Sequence, residues 1–118
     1  MENSIRFLFE LSVADNQLPA VKDLLSSAIE DVQAKDFGVL DYEFYFDDGS
    51  TKFYAVERFK DSDAVMKHLG IVGETLNKLL EVAPITRAEI FGTPSAELLT
   101  ALEPFNPRVF ARWGGLTR

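Results

Sequence analysis

The sequence predicts an α+β domain: a single antiparallel sheet with helices on one side, in the order strand, helix, strand, strand, helix, strand. Two observations carry that prediction. The stretch from Gly38 to Phe59 holds two aromatic-rich runs, VLDYEFYF and KFYAVERF, around the turn cluster DDGST, which is the composition of a β-hairpin. On either side of it, a helix-spaced apolar pattern separates the hairpin from an alternating run, one near each end of the chain.

The first alternating run is Ile5 to Val13, with Ile5, Phe7, Phe9, Leu11 and Val13 on one face. Asp15 or Asn16 then caps a helix carrying Leu18, Val21, Leu25, Ala28 and Val32 at helical spacing. Pro19 falls in the first turn, where amides lack partners anyway. Gly38 leads into the hairpin. Leu40, Tyr42, Phe44 and Phe46 share one face of its first strand, while Asp41, Glu43 and Tyr45 share the other. In its second strand Tyr54 and Val56 oppose Phe53, Ala55, Glu57 and Phe59. Asp61 or Ser62 caps a second helix through Ala64, Val65, His68 and Leu69, and Gly70 and Gly73 predict a bend or a break in it. Pro84 stops it. Ile85 to Phe91 is the last strand of the core. Thr93-Pro94 opens a short helix, Ser95 to Glu103, which Pro104 ends. The tail, Phe105 to Arg118, has no clear period but holds Phe105, Val109, Phe110 and the only tryptophan, Trp113.

This order is the ferredoxin-like β-α-β-β-α-β arrangement with an extra C-terminal helix. It makes one domain, 1–118, with its core over 5–92 and the helix and tail over 93–118. Such a sheet has a second face. Leu8, Glu10, Tyr45, Phe53, Glu57, Phe59, Arg87, Glu89 and Phe91 are expected there, a mixture of rings and charges. Rings left in water form an exposed patch, so this face is expected to pair with a second copy and close a barrel-like chamber.

Hydrophobic residues are 47% of the chain and charged residues 26%, a globular balance. Twelve basic and 19 acidic residues give a net charge of −7, which repels nucleic acid and anionic membranes. There is no cysteine, hence no disulfide, thiol nucleophile or thiolate metal site. With no basic leader and no long apolar run, the expectation is a soluble, cytoplasmic protein. There is no dinucleotide, P-loop or nucleophile-elbow motif, and the acidic residues lack compact metal-ligand spacing. Asp47-Asp48-Gly49 reads as a turn rather than a calcium loop.

Val39-Leu40-Asp41-Tyr42-Glu43-Phe44-Tyr45, the run Phe53 to Ala64, and Lys67-His68-Leu69 together resemble the antibiotic biosynthesis monooxygenase superfamily. The resemblance spans about Ile5 to Gly92. It implies a dimeric α+β barrel, of the kind that includes small quinol monooxygenases working without a cofactor. Glu57 matches an acidic strand residue of the family, with Phe59 where Trp is usual, and His68 matches a helix His that precedes Leu. Gly70-Ile71-Val72 stands where relatives often carry Ser-Pro-His. The Asn-Trp-His set of the haem-degrading branch has no match.

His68, the only histidine, is the candidate general base, and Glu57 a second proton acceptor. The plainer readings are a satisfied helix histidine and an ion pair of Glu57 with Arg87 or Arg6. Tyr45, Phe53, Phe59 and Phe91, with Arg87 and Trp113, are the candidate substrate-binding residues, against roles as dimer core or tail anchor. Tyr42 and Tyr54 are expected beneath the helices. The activity implied is oxidation of a small aromatic quinol or polyphenol by dioxygen. The alternatives are a non-catalytic dimer binding a small hydrophobic ligand and an isomerase of the same superfamily.

Overall fold

The computed structural model describes residues 3–118. Its elements are β1 (Ile5–Ser12), α1 (Leu18–Lys35), β2 (Val39–Phe46), β3 (Lys52–Phe59), α2 (Ser62–Val82), β4 (Ile85–Phe91), α3 (Ala96–Leu102) and β5 (Arg108–Phe110). A 3-10 turn, Glu103–Phe105, links α3 to β5. The strands lie in the order β2-β3-β1-β4-β5, as one open sheet. The first four pair antiparallel, and β5 adds parallel to β4. This is the expected ferredoxin-like α+β fold with one extra edge strand. Gly92 N–H donates to Phe110 O (2.9 Å), and the rings of Phe91 and Phe110 stack 5.6 Å apart. Three residues are too few to show a period of two, so β5 left no pattern in the sequence.

α1 and α2 cover one sheet face. Ile5, Phe7, Phe59, Val65, Ile90 and Leu98 form one part of the core, and Leu11, Val21, Leu25, Phe53 and Leu79 another. Phe53 and Phe59 are fully buried, each contributing about 1.5–3 kcal/mol. That reverses the predicted facing of β3. Cross-strand partners share a face, and Phe53, Ala55, Glu57 and Phe59 stand opposite Leu11, Phe9, Phe7 and Ile5. They also stand with Phe46, Phe44, Tyr42 and Val39 of β2. Phe53, Glu57 and Phe59 therefore lie beneath the helices, and Tyr54 and Val56 on the open face. Leu40 falls at a register shift between Val39 and Asp41 and is exposed, so it leaves the face of Tyr42 and Phe44.

α2 is continuous. Gly70 and Gly73 have nothing near their would-be Cβ positions, and the helix runs through both without a break. Asp61 caps it, accepting from Ala64 N–H at 2.8 Å. α1 instead starts after Gln17 with no side-chain cap, because Asn16 takes a left-handed backbone (φ 65) rather than the cap position. Ser95, not Thr93, caps α3. Asp47 holds the hairpin turn, accepting from Thr51 N–H (2.8 Å) and Thr51 Oγ1 (2.6 Å), and these bonds hold its carboxyl below the usual range. Among the described residues no helix is long and apolar enough to cross a membrane.

Candidate functional site

The site begins where α1 ends. Asp36 occupies the C-cap of α1, a position where the helix dipole disfavours an acid. Gly38 then lies so close to α2 that a Cβ there would sit 2.7 Å from Ala64 Cβ. This tight approach pushes Asp36 against His68, one turn further along α2. His68 Nδ1 donates to Asp36 Oδ2 at 2.8 Å, with both side chains buried. The bond fixes the tautomer, and Nε2 keeps its lone pair. The other Asp36 oxygen, Oδ1, is buried with no hydrogen-bond partner among the described residues. The imidazole is held edge-on between Tyr42 (centroids 5.3 Å) and Phe59 (5.0 Å).

Glu57 comes from the middle of β3. Its Oε1 lies 3.8 Å from His68 Nε2, too far for a hydrogen bond. Burial pushes its carboxyl up to about 8. Burial also lowers His68, against the raising effect of the Asp36 bond. Near pH 7 both are therefore neutral: a carboxylic acid beside an unprotonated imidazole. Tyr42 is raised well above an ordinary phenol, by burial first and then by the Glu57 and Asp36 charges.

These groups line a cavity of about 60 Å³ between sheet and helices, walled by Phe9, Phe44, Phe53, Leu76 and Phe105 among others. An engineered apolar cavity of roughly 150 Å³ takes up benzene, so a ring enters here only if the wall yields. One end is polar, and the rest is apolar apart from Thr75 of α2. No cluster of three or more potential metal ligands occurs among the described residues. The arrangement can take a proton from a bound molecule in dry surroundings.

A family model described as antibiotic biosynthesis monooxygenase matches residues 4–70, more than half of the 118-residue chain. The chain belongs to the antibiotic biosynthesis monooxygenase family. The matched segment contains Asp36, Tyr42, Glu57 and His68. Among solved structures, MupZ from Pseudomonas fluorescens is 23% identical, with a TM-score of 0.87 over 98% of this chain and 95% of that one. A conserved protein from Methanosarcina mazei Go1 is also 23% identical, covering 75% and 89% with a TM-score of 0.64. SnoaB, a cofactor-independent oxygenase from Streptomyces nogalater, is 12% identical, covering 80% and 96% with a TM-score of 0.65. At these identities the likeness is one of fold. Comparison with the curated proteins finds no match.

Of the predicted site residues, His68, Glu57 and Phe53 meet at the monooxygenase-family cavity, and Phe59 packs behind the imidazole. Tyr45, Arg87, Phe91 and Trp113 do not line it. On the open face Tyr45 donates to Glu43 (3.0 Å) and Arg87 pairs with Glu89 (2.9 Å), not with Glu57. Tyr54, expected under a helix, donates there to Glu10, which also accepts from Thr86. Phe91 and Trp113 line a groove between that face and the tail. Asp36 was not anticipated, although an acid at the end of a helix was a signal. Tyr42 lies beneath the helices as expected, but as part of the site.

Proposed function

We propose that this chain is a cofactor-independent monooxygenase that oxidises a small quinol or polyphenol with dioxygen. One observation carries the reading: a buried Asp36–His68 pair whose free Nε2 faces Glu57 in a cavity walled mainly by apolar side chains. His68 accepts the phenolic proton, and Asp36 stabilises the resulting imidazolium. The electron-rich anion gives one electron to dioxygen, and the two radicals join as a peroxide on a ring carbon. Loss of water from that C–H carbon leaves a carbonyl, so one oxygen atom enters the product and the other leaves in water. Family membership and the fold shared with a cofactor-independent oxygenase support this reading.

We place a second copy against the open face. Tyr45, Phe91, Phe110, Trp113 and Leu116 are exposed there or on the adjoining tail, more apolar surface than a lone subunit usually shows to water. In such a dimer these residues are interface and the chemistry stays beneath the helices.

Oxygen uptake with a panel of hydroquinones tests the function. The parent consumes oxygen, and the Glu57→Gln/His68→Ala double variant falls to background. No uptake above background by the parent overturns the reading. Ligand-induced thermal shifts without uptake would then indicate a binding protein, and substrate isomerisation without uptake an isomerase.

A further inference from the structure

The cavity holds more polar groups than a single base requires. Tyr42 and Glu57 are direct cross-strand partners, so their side chains leave the sheet side by side. Both line the cavity, together with His68. Neither the Tyr42 hydroxyl nor the Glu57 carboxyl has a hydrogen-bond partner among the described residues. Asp36 Oδ1 is the only fully enclosed, unpartnered side-chain oxygen among the described residues, so the Tyr42 and Glu57 groups reach the open space of the cavity, where a ligand can bond them. Both are donors in their neutral forms; Glu57 Oε1 lies 3.8 Å from His68 Nε2, and the Tyr42 ring stands 5.3 Å from the imidazole.

We propose that Tyr42 and Glu57 form a two-donor oxyanion site: the phenol of Tyr42 and the carboxylic acid of Glu57 hydrogen-bond one phenolic oxygen of the substrate while His68 Nε2 removes its proton. The substrate O–H bond breaks, an N–H bond forms on His68, and the electron pair stays on the oxygen held by the two donors. Preorganised donors in a site without water stabilise developing charge strongly. The cavity then selects phenols by the acidity of that hydroxyl, and Tyr42 becomes a catalytic residue beside His68. This rests on the reading of the cavity as the substrate site.

The donor role of Glu57 lasts only while it is protonated. The titratable groups facing it are Tyr42 from β2, His68 from α2 and Asp36 beyond the imidazole. β1 presents Phe7, and α1 presents Leu24, Leu25 and Ala28. No lysine or arginine pairs with Glu57 among the described residues, and burial holds its proton up to about 8.

Binding of 4-substituted phenols, measured without oxygen by calorimetry and ligand absorbance, tests the site. The parent binds 4-nitrophenol as its coloured phenolate, more tightly than 4-methylphenol. Tyr42→Phe, which keeps the ring packing, weakens 4-nitrophenol by about 10- to 100-fold, the loss of one hydrogen bond to a charged group. Above pH 8, where that ligand is already ionised, protonating His68 draws a proton from solvent and weakens binding in parent and variant alike; the parent falls more steeply because Glu57 also loses its proton. Glu57→Gln keeps an N–H donor, binds at pH 7 and falls less steeply above pH 8. Tyr42→Phe binding equal to the parent, a fall as steep in Glu57→Gln as in the parent, or no phenol binding by the parent would each overturn the proposal. Phenol binding of this pattern without oxygen uptake would sink the monooxygenase reading and leave the oxyanion site standing.

Discussion

Replacing Glu57 with Gln should make the protein more stable in alkaline solution and leave it nearly unchanged in acid. The folded chain holds the Glu57 proton up to about 8, against an ordinary value of 4.5. Between those values the folded form binds a proton that the unfolded chain has released, so stability falls as pH rises through that window. Each pH unit of the window is worth ~1.4 kcal/mol, which sets a ceiling of about 5 kcal/mol above pH 8. Relaxation around the ionised group reduces this, and a gain of about 2–4 kcal/mol is expected at pH 9. Gln has nearly the same shape and no proton to lose, so the difference between the two proteins isolates this one group. Urea unfolding of parent and variant at pH 5, 7 and 9, with m compared to confirm equal exposure, reads it directly. A difference that stays constant across the three pH values would refute the argument, because Glu57 would then titrate as a solvated acid.

Four further outcomes follow from the same geometry. The rate of oxygen uptake should be bell-shaped in pH, rising as His68 deprotonates below its ordinary 6.5 and falling as Glu57 ionises near 8; a flat profile over pH 5 to 9 would contradict it. Asp36→Asn should lower kcat by about 10²- to 10⁴-fold with little change in KM, since the imidazole loses its orienting acceptor; steady-state kinetics at pH 7 decides this. Gly38→Ala forces a Cβ to 2.7 Å from Ala64 and should cost about 1–3 kcal/mol in urea unfolding. Tyr45→Glu combined with Phe110→Glu should convert a dimer to a monomer in sedimentation velocity while the fold, read by circular dichroism, persists.

The element order was legible because the hairpin stretch and the two helical periods are strong local signals. The facing of β3 was not, because a period of two defines two faces without saying which is inside. Phe53, Ala55 and Phe59 mark the apolar side, but the one acid among them, Glu57, signals an open face by residue type although it is a buried exception. The shift at Leu40 added to this by displacing β2 against its own alternation. Gly70 and Gly73 suggested a break that packing did not require, since they point away from the sheet. His68 and Glu57 could be picked out by residue type. Asp36 and Tyr42 needed the tertiary fold, because the close pass of Gly38 over Ala64 that brings Asp36 to the imidazole joins residues far apart in sequence.

A crystal structure with a phenol that does not react with oxygen would test the central claim most directly. The account predicts the ring inside the widened cavity, its oxygen about 3 Å from His68 Nε2 and from the Tyr42 hydroxyl. A ring bound instead on the open face, against Tyr45 and Phe91, would contradict it.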